Sequence, residues 1–124
     1  MKNASEKDPY VIVLGVAQDA GYPQINCQKK CCMRAWENPQ LKKHATCLAI
    51  VDPSSKQQWI IDATPDLKHQ LHVLKSQSLI ESIDGFLLTH AHVGHYAGLI
   101  HLGKEIMGAE KIPVYAMRKM KEFI

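Results

Sequence analysis

The chain lacks the features that would place it in a membrane or mark it for export. Its apolar runs are short, with Val11 to Ala17 and Gly85 to Leu88 among the longest, far below the roughly 20 residues a membrane helix needs. The first eight residues are polar and partly acidic, and no small-residue cleavage site follows them. A spanning protein is excluded and a cytoplasmic one is expected. One-sided charge is missing too: 15 Lys and Arg against 12 Asp and Glu leave a net charge of +3, scattered except for a small group in Met117 to Lys121. That distribution makes no case for nucleic acid. Internal repeats and low-complexity segments are also lacking.

What is present is ordinary globular composition, 46% hydrophobic and 22% charged. With 124 residues there is room for one small core, so one domain, or part of one, is the ceiling. Residues 1–9 read as a disordered tail. Tyr10 to Gly15 is β-branched and short, as a buried strand is. The polar excursion from Gln28 to Lys43 holds a short helix around Met33 to Glu37, which Pro39 cannot continue. Thr46 to Val51 and Gln58 to Asp62 are two strands joined by the turn residues Asp52 to Ser55, hence a hairpin. Thr64-Pro65-Asp66 carries a capping hydroxyl, a ring that presets φ and a carboxylate for the positive helix end, and Leu67, Leu71 and Leu74 follow on one face. Gly85 to Thr89 is a fourth strand that runs into a group of histidines. A partly buried helix from Tyr96 to Met107, ended by Gly108, then Lys111 to Tyr115 as a strand and Met117 onward as a helix, complete the pattern.

His90 and His92 stand two apart at a strand end, so their side chains share a face. His95 follows just past the turn into the next helix. The three rings are expected to converge on one ion, zinc or iron, both of which accept neutral imidazole. The competing reading is a chance cluster on a loop.

The whole phrase from Leu88 to Leu99, Leu-Thr-His-Ala-His-Val-Gly-His-Tyr-Ala-Gly-Leu, resembles the metallo-β-lactamase superfamily signature Thr-His-x-His-x-Asp-His-x-x-Gly-Leu, departing from it at Gly94. By that resemblance His90 and His92 are ligands of a first metal, and His95 is the remaining ligand of a second site whose carboxylate is gone. A mononuclear centre is expected, and Gly94→Asp is expected to raise occupancy toward two ions. Val13 to Ala17 with Gly21-Tyr-Pro-Gln-Ile-Asn-Cys27, and Ile61-Asp-Ala-Thr-Pro-Asp66 with the helix behind it, resemble the coenzyme PQQ synthesis protein B family. The fold implied is α/β, a four-layer αβ/βα sandwich of two similar halves, with residues 10–124 supplying the amino-terminal half. The later ligands, and the loops that select a substrate, would lie outside this chain.

Cys27, Cys31 and Cys32 offer thiolates to a structural zinc, with Cys47 or His44 to complete a tetrahedral set; free reduced thiols are the alternative. His69 and His72 fall on the exposed side of the leucine-faced helix, and His101 reads as a surface residue. Asp62 and Asp66 read as a strand-end and a helix-start aspartate. The implied function is a metal-dependent hydrolase of a small molecule, zinc first and iron second. The alternatives are an oxidising enzyme or carrier like the PQQ protein, or a non-catalytic fragment. Taken alone, the 124 residues are expected to be inactive and to self-associate through an uncovered sheet face.

Overall fold

The computed structural model describes residues 7–124, so the first six residues of the expected tail lie outside the described residues. The rest of that tail is tied to the hairpin turn, where Ser54 Oγ donates to the Lys7 carbonyl at 2.8 Å. Five strands form one sheet in chain order: β1 (Tyr10–Gly15), β2 (Cys47–Asp52), β3 (Gln57–Ile61), β4 (Gly85–Leu87) and β5 (Val114–Tyr115). The first three pair antiparallel and the last two add parallel. The helices are α1 (Lys30–Glu37), α2 (Leu67–Ser78), α3 (Val93–Tyr96) and α4 (Arg118–Phe123).

The β2–β3 hairpin closes around Asp52, whose carboxylate accepts from the Ser54 N–H at 3.0 Å and the Ser55 hydroxyl at 2.8 Å. A hairpin cannot join parallel strands, so α2 makes the crossover from β3 to β4. Its entry differs from a simple cap. Thr64 Oγ1 accepts the Asp66 N–H at 3.0 Å and donates to Gln70 Oε1 at 2.6 Å, and the helix itself starts one residue later, at Leu67. Leu67 and Leu74 are buried on the sheet, with Leu71 packed at the margin. Each fully buried leucine or phenylalanine contributes roughly 1.5–3 kcal/mol. Gln70 is buried among them and satisfied, its amide donating to the Ala45 carbonyl at 2.8 Å.

The sheet's two faces differ. Ile12, Leu14, Ala49, Val51, Ile60 and Phe86 point into the core with α2 and Met120 of α4. Val11, Val13, Leu48, Ile50, Trp59, Ile61, Leu87 and Tyr115 point the other way, in register across all five strands. This second face is apolar yet open, with Val11 58% and Val13 61% exposed. One sheet with helices on one side is one half of the expected sandwich.

The long helix expected beyond the histidines is not formed. One α-turn is followed by a 3-10 stretch, Ala97–Leu102. The cause is Gly98, whose N–H donates to the Ala63 carbonyl at 2.9 Å and whose position holds no side chain, since a Cβ would lie 2.3 Å from the Thr64 carbonyl oxygen. The backbone is drawn onto the end of β3 instead of continuing its coil. Ile106 and Met107, expected on that helix, are exposed at 64% and 39%. Among the described residues no helix is long and apolar enough to cross a membrane.

Candidate metal centre

β3 and β4 are parallel neighbours, so the residues just past their carboxyl ends emerge side by side, where open α/β sheets place their sites. Asp62 follows β3, and Thr89 and His90 follow β4. Asp62 takes φ 68°, in the left-handed region that Asp enters more readily than most residues. Its carboxylate, 4% exposed, is the hub of the site. Oδ1 accepts the Thr89 N–H at 2.8 Å, both oxygens lie within 2.9 Å of the Thr89 hydroxyl, and Oδ2 accepts from His95 Nδ1 at 2.6 Å.

These contacts fix the histidine tautomers. Thr89 has one hydroxyl hydrogen, and it goes to Asp62. Its oxygen must therefore accept from His90 Nδ1, 2.8 Å away, which leaves the lone pair of His90 on Nε2. That nitrogen lies 3.0 Å from His92 Nδ1. Two ligands of one zinc ion stand roughly 3–3.5 Å apart at ordinary bond lengths, so the pair fits a metal. The three rings gather around His90, with centroids 4.5 Å from His92 and 4.1 Å from His95, while His92 and His95 stand 6.4 Å apart. β4 ends at Leu87, so it is the loop beyond the strand that brings His90 and His92 together, not the strand alternation expected from the sequence. Asp62 groups with His90 and His95 within metal-ligand range. Its oxygens are already engaged by Thr89 and His95, an arrangement suited to orienting the imidazoles of a metal site.

His95 is the buried member, its side chain 12% exposed, and carboxylates face both of its nitrogens: Asp62 on Nδ1, and Asp19 Oδ1 on Nε2 at 2.9 Å. Burial disfavours its charged form, but the hydrogen bonds and charges of Asp62 and then Asp19 outweigh it and raise the pKa above the usual imidazole value. Asp19 Oδ2 also lies 3.8 Å from His92 Nδ1. A cavity of about 770 Å³ opens here, bordered by Asp19, His92 and Val93 on one side and Cys31 and Cys32 on the other.

Sequence reasoning missed the parts played by both carboxylates. Asp62 left a signal, a carboxylate at the end of the strand that pairs with the histidine strand. Asp19 left none, since it lies in a turn far away in sequence.

Gly94 needs a correction. It is buried against the Asp19 turn, and a Cβ there would lie 2.1 Å from the Asp19 carbonyl oxygen and 2.4 Å from its Cα. An aspartate cannot simply be restored at position 94, because the Asp19 backbone fills the space.

Cys27, Cys31 and Cys32 do come together, with sulfurs within metal-ligand range of one another. Cys31 and Cys32 sit in the first turn of α1 and Cys27 in the loop before it. The Lys29 N–H, and then the Cys32 thiol, hold Cys27 below the usual thiol range. Neither proposed fourth ligand joins them. Cys47 faces the core from β2, and burial, aided by the charge of Asp62, pushes its thiol up to about 12. His44 stacks on His69 at 5.4 Å and lies 3.7 Å from Asp66.

Asp66 does more than start a helix, since its Oδ2 accepts the Ala45 N–H at 2.8 Å and ties the loop before β2 to α2. His69 and His72 are exposed, as expected. His101 is half-buried, and its Nδ1 is sealed from solvent with no hydrogen-bond partner among the described residues, unlike the surface residue expected.

No family model matches the chain. Curated relatives do. Coenzyme PQQ synthesis protein B of Methylorubrum populi is 31% identical over 99 residues, 75% of this chain and 33% of the relative. That of Rhodopseudomonas palustris is 35% identical over 98 residues, 74% of this chain and 32% of the relative. Among solved structures, zinc-bound PqqB from Methylobacterium extorquens superposes with TM-score 0.74 at 25% identity, over 91% of this chain and 38% of that one. A diphosphatase of the PhnP family superposes with TM-score 0.67 at 25% identity, over 92% of this chain and 43% of that one. The fold is that of the metallo-β-lactamase superfamily. The curated relatives it resembles are coenzyme PQQ synthesis proteins B, and it spans about a third of the length of those it matches.

Proposed function

We propose that this chain carries the first metal-binding elements of a metal-dependent hydrolase, with zinc as the ion and a small phosphate-containing molecule as the first substrate class to test. The observation that supports it most is the Asp62–Thr89–His90 relay, which turns the His90 Nε2 lone pair toward His92 Nδ1 at 3.0 Å. The relay is built on a carboxylate that is buried and hydrogen-bonded at both oxygens. His90 and His92 would hold the ion, His95 stands beside them with Nε2 facing Asp19, and Asp62 keeps two of the three rings in their ligating tautomers. Zinc bound here supplies Lewis acidity, lowering the pKa of water and polarising the bond to be cleaved. The phosphate preference rests on the likeness to the PhnP-family diphosphatase.

A second reading, an oxidising enzyme or carrier, is favoured by the sequence similarity to coenzyme PQQ synthesis protein B. Metal identity separates the two, because redox chemistry needs iron or copper. The test is elemental analysis of the full-length protein as isolated, followed by hydrolysis of bis(p-nitrophenyl) phosphate by wild type and by the His90→Ala/His92→Ala variant. Zinc in the wild type, and loss of both zinc and turnover in the variant, is the expected result. Iron without hydrolysis, or turnover indifferent to the substitutions, sinks the hydrolase reading.

A further inference from the structure

We propose that Asp19 is a metal ligand: from the turn after β1 its carboxylate completes, with His95 Nε2, a second cation position beside the His90–His92 pair. The inference rests on the metal-centre reading above and adds to it a residue from outside the histidine segment.

The argument begins with an excess of acceptors. His95 gives its Nδ1 proton to Asp62 at 2.6 Å, so in the neutral ring Nε2 carries a lone pair. Asp19 Oδ1 faces that lone pair at 2.9 Å. Two acceptors at this distance need a positive charge between them, either a second proton on the ring or a metal ion. The spacing suits two ligands of one ion as well as it suits a hydrogen bond. Asp19 is not needed to aim His95, because Asp62, buried and doubly bonded to Thr89, already does so. Asp19 is 45% exposed and borders the cavity it shares with His92, the side from which an ion would enter.

The turn is built to hold the carboxylate there. The Gly21 N–H donates to the Gln18 carbonyl at 2.7 Å, and the flanking backbone is laced to the loop before β2: Ala17 N–H to the His44 carbonyl at 2.9 Å, Thr46 N–H to the Ala17 carbonyl at 2.8 Å, and Tyr22 N–H to the Lys43 carbonyl at 2.8 Å. Gly94 lets this turn approach so closely, since any side chain at 94 would meet the Asp19 backbone. Position 94 gives up its side chain, and the segment seated on it brings a carboxylate to His95.

The test titrates the metal-free, full-length protein with Co²⁺, following d–d absorption and the equivalents retained after desalting. Thiolate-bound Co²⁺ is counted separately by its sulfur charge-transfer band. Wild type is expected to take up two ions at the histidine cluster. Asp19→Asn, similar in size, is expected to keep the first and bind the second at least about tenfold more weakly. If Asp19→Asn holds both ions as tightly as wild type, or if wild type holds one ion that the substitution leaves unchanged, the Asp19 inference is overturned and the His90–His92 site stands. If wild type takes up no Co²⁺ outside the thiolates, the metal-centre reading falls as well. Should Asp19→Asn not fold, NMR of the unmodified Co²⁺ protein decides: paramagnetic shifts at the Asp19 methylene support the inference, and unshifted Asp19 signals beside shifted His95 signals overturn it.

Discussion

Asp62 and His95 meet at 2.6 Å, carboxylate oxygen to Nδ1, in the most enclosed part of the site. The same carboxylate also holds the Thr89 amide and hydroxyl, so one side chain sets two imidazoles. Asp62→Asn keeps the shape but points an amide NH₂ at one of these donors. Metal affinity in the full-length protein should fall roughly 10–100-fold, as when partners of ligating histidines are lost elsewhere. Thr89→Val removes only the His90 arm and should cost less. Competition with a chromophoric chelator measures both, and equal affinity in Asp62→Asn and wild type would refute the orienting role.

Gly94 yields a prediction opposite to the one its sequence context invites. Read against the superfamily signature, Gly94→Asp restores a ligand. In the fold, the new Cβ collides with the Asp19 carbonyl and Cα. Overpacking of this kind typically costs about 1–3 kcal/mol, and here the strain falls on the turn that aims Asp19. Both Gly94→Ala and Gly94→Asp should lower the melting temperature and reduce metal content. Elemental analysis beside thermal denaturation checks this, and an added ion in Gly94→Asp at unchanged stability would show that the turn yields freely.

Much of this was legible in the sequence, because period-two and period-3.6 patterns are local. β1, the β2–β3 hairpin and α2 all follow from alternation, turn residues and spacing. The histidine spacing brings His90 close to His92 and His95, although β4 ends at Leu87 and a loop, not a strand, carries the first two. What escaped is set by contacts between distant segments. The apolar positions from Tyr96 to Met107 look helical, but Gly98 is pulled onto Ala63 and the coil tightens. Asp62 looks like an ordinary strand end until β3 and β4 lie parallel. Asp19 gains its neighbours only when the loop before β2 pins its turn over Gly94. Cys47 resembles a fourth thiolate by spacing, yet strand alternation turns it into the core.

The cysteines separate by environment. Cys47, buried and pushed up to about 12, should resist thiol reagents at pH 8 until the protein unfolds. Cys27, held low by the Lys29 N–H and the Cys32 thiol, should react first in metal-free protein. If the three clustered sulfurs hold a zinc ion, zinc should slow the modification of Cys27, Cys31 and Cys32 together, and Cys27→Ser/Cys31→Ser should release one equivalent and lower the melting temperature. Timed titration with a disulfide reagent, with and without zinc, distinguishes these outcomes. Unchanged zinc and unchanged stability in the double variant would make them ordinary thiols.

The open sheet face makes a prediction about the 124-residue polypeptide by itself. Val11 and Val13 of β1 pair with Ile50 and Leu48 of β2, these with Trp59 and Ile61 of β3, and Ile61 with Leu87 of β4 beside Tyr115. Gly85 clears room for the rings, since a Cβ there would lie 2.8 Å from the Tyr115 ring and 3.3 Å from Trp59. The result is a continuous apolar surface crossing five strands, a kind of patch that monomeric proteins rarely leave uncovered. In solution the polypeptide should self-associate through this face, more so as concentration rises. Val11→Glu/Val13→Lys changes two well-exposed positions at the sheet edge, so it should shift the chain toward monomer while moving the melting temperature little. Light scattering coupled to size-exclusion chromatography reads both states. A wild-type chain that stays monomeric up to high concentration would mean that this face tolerates water, and the double variant would then behave like its parent.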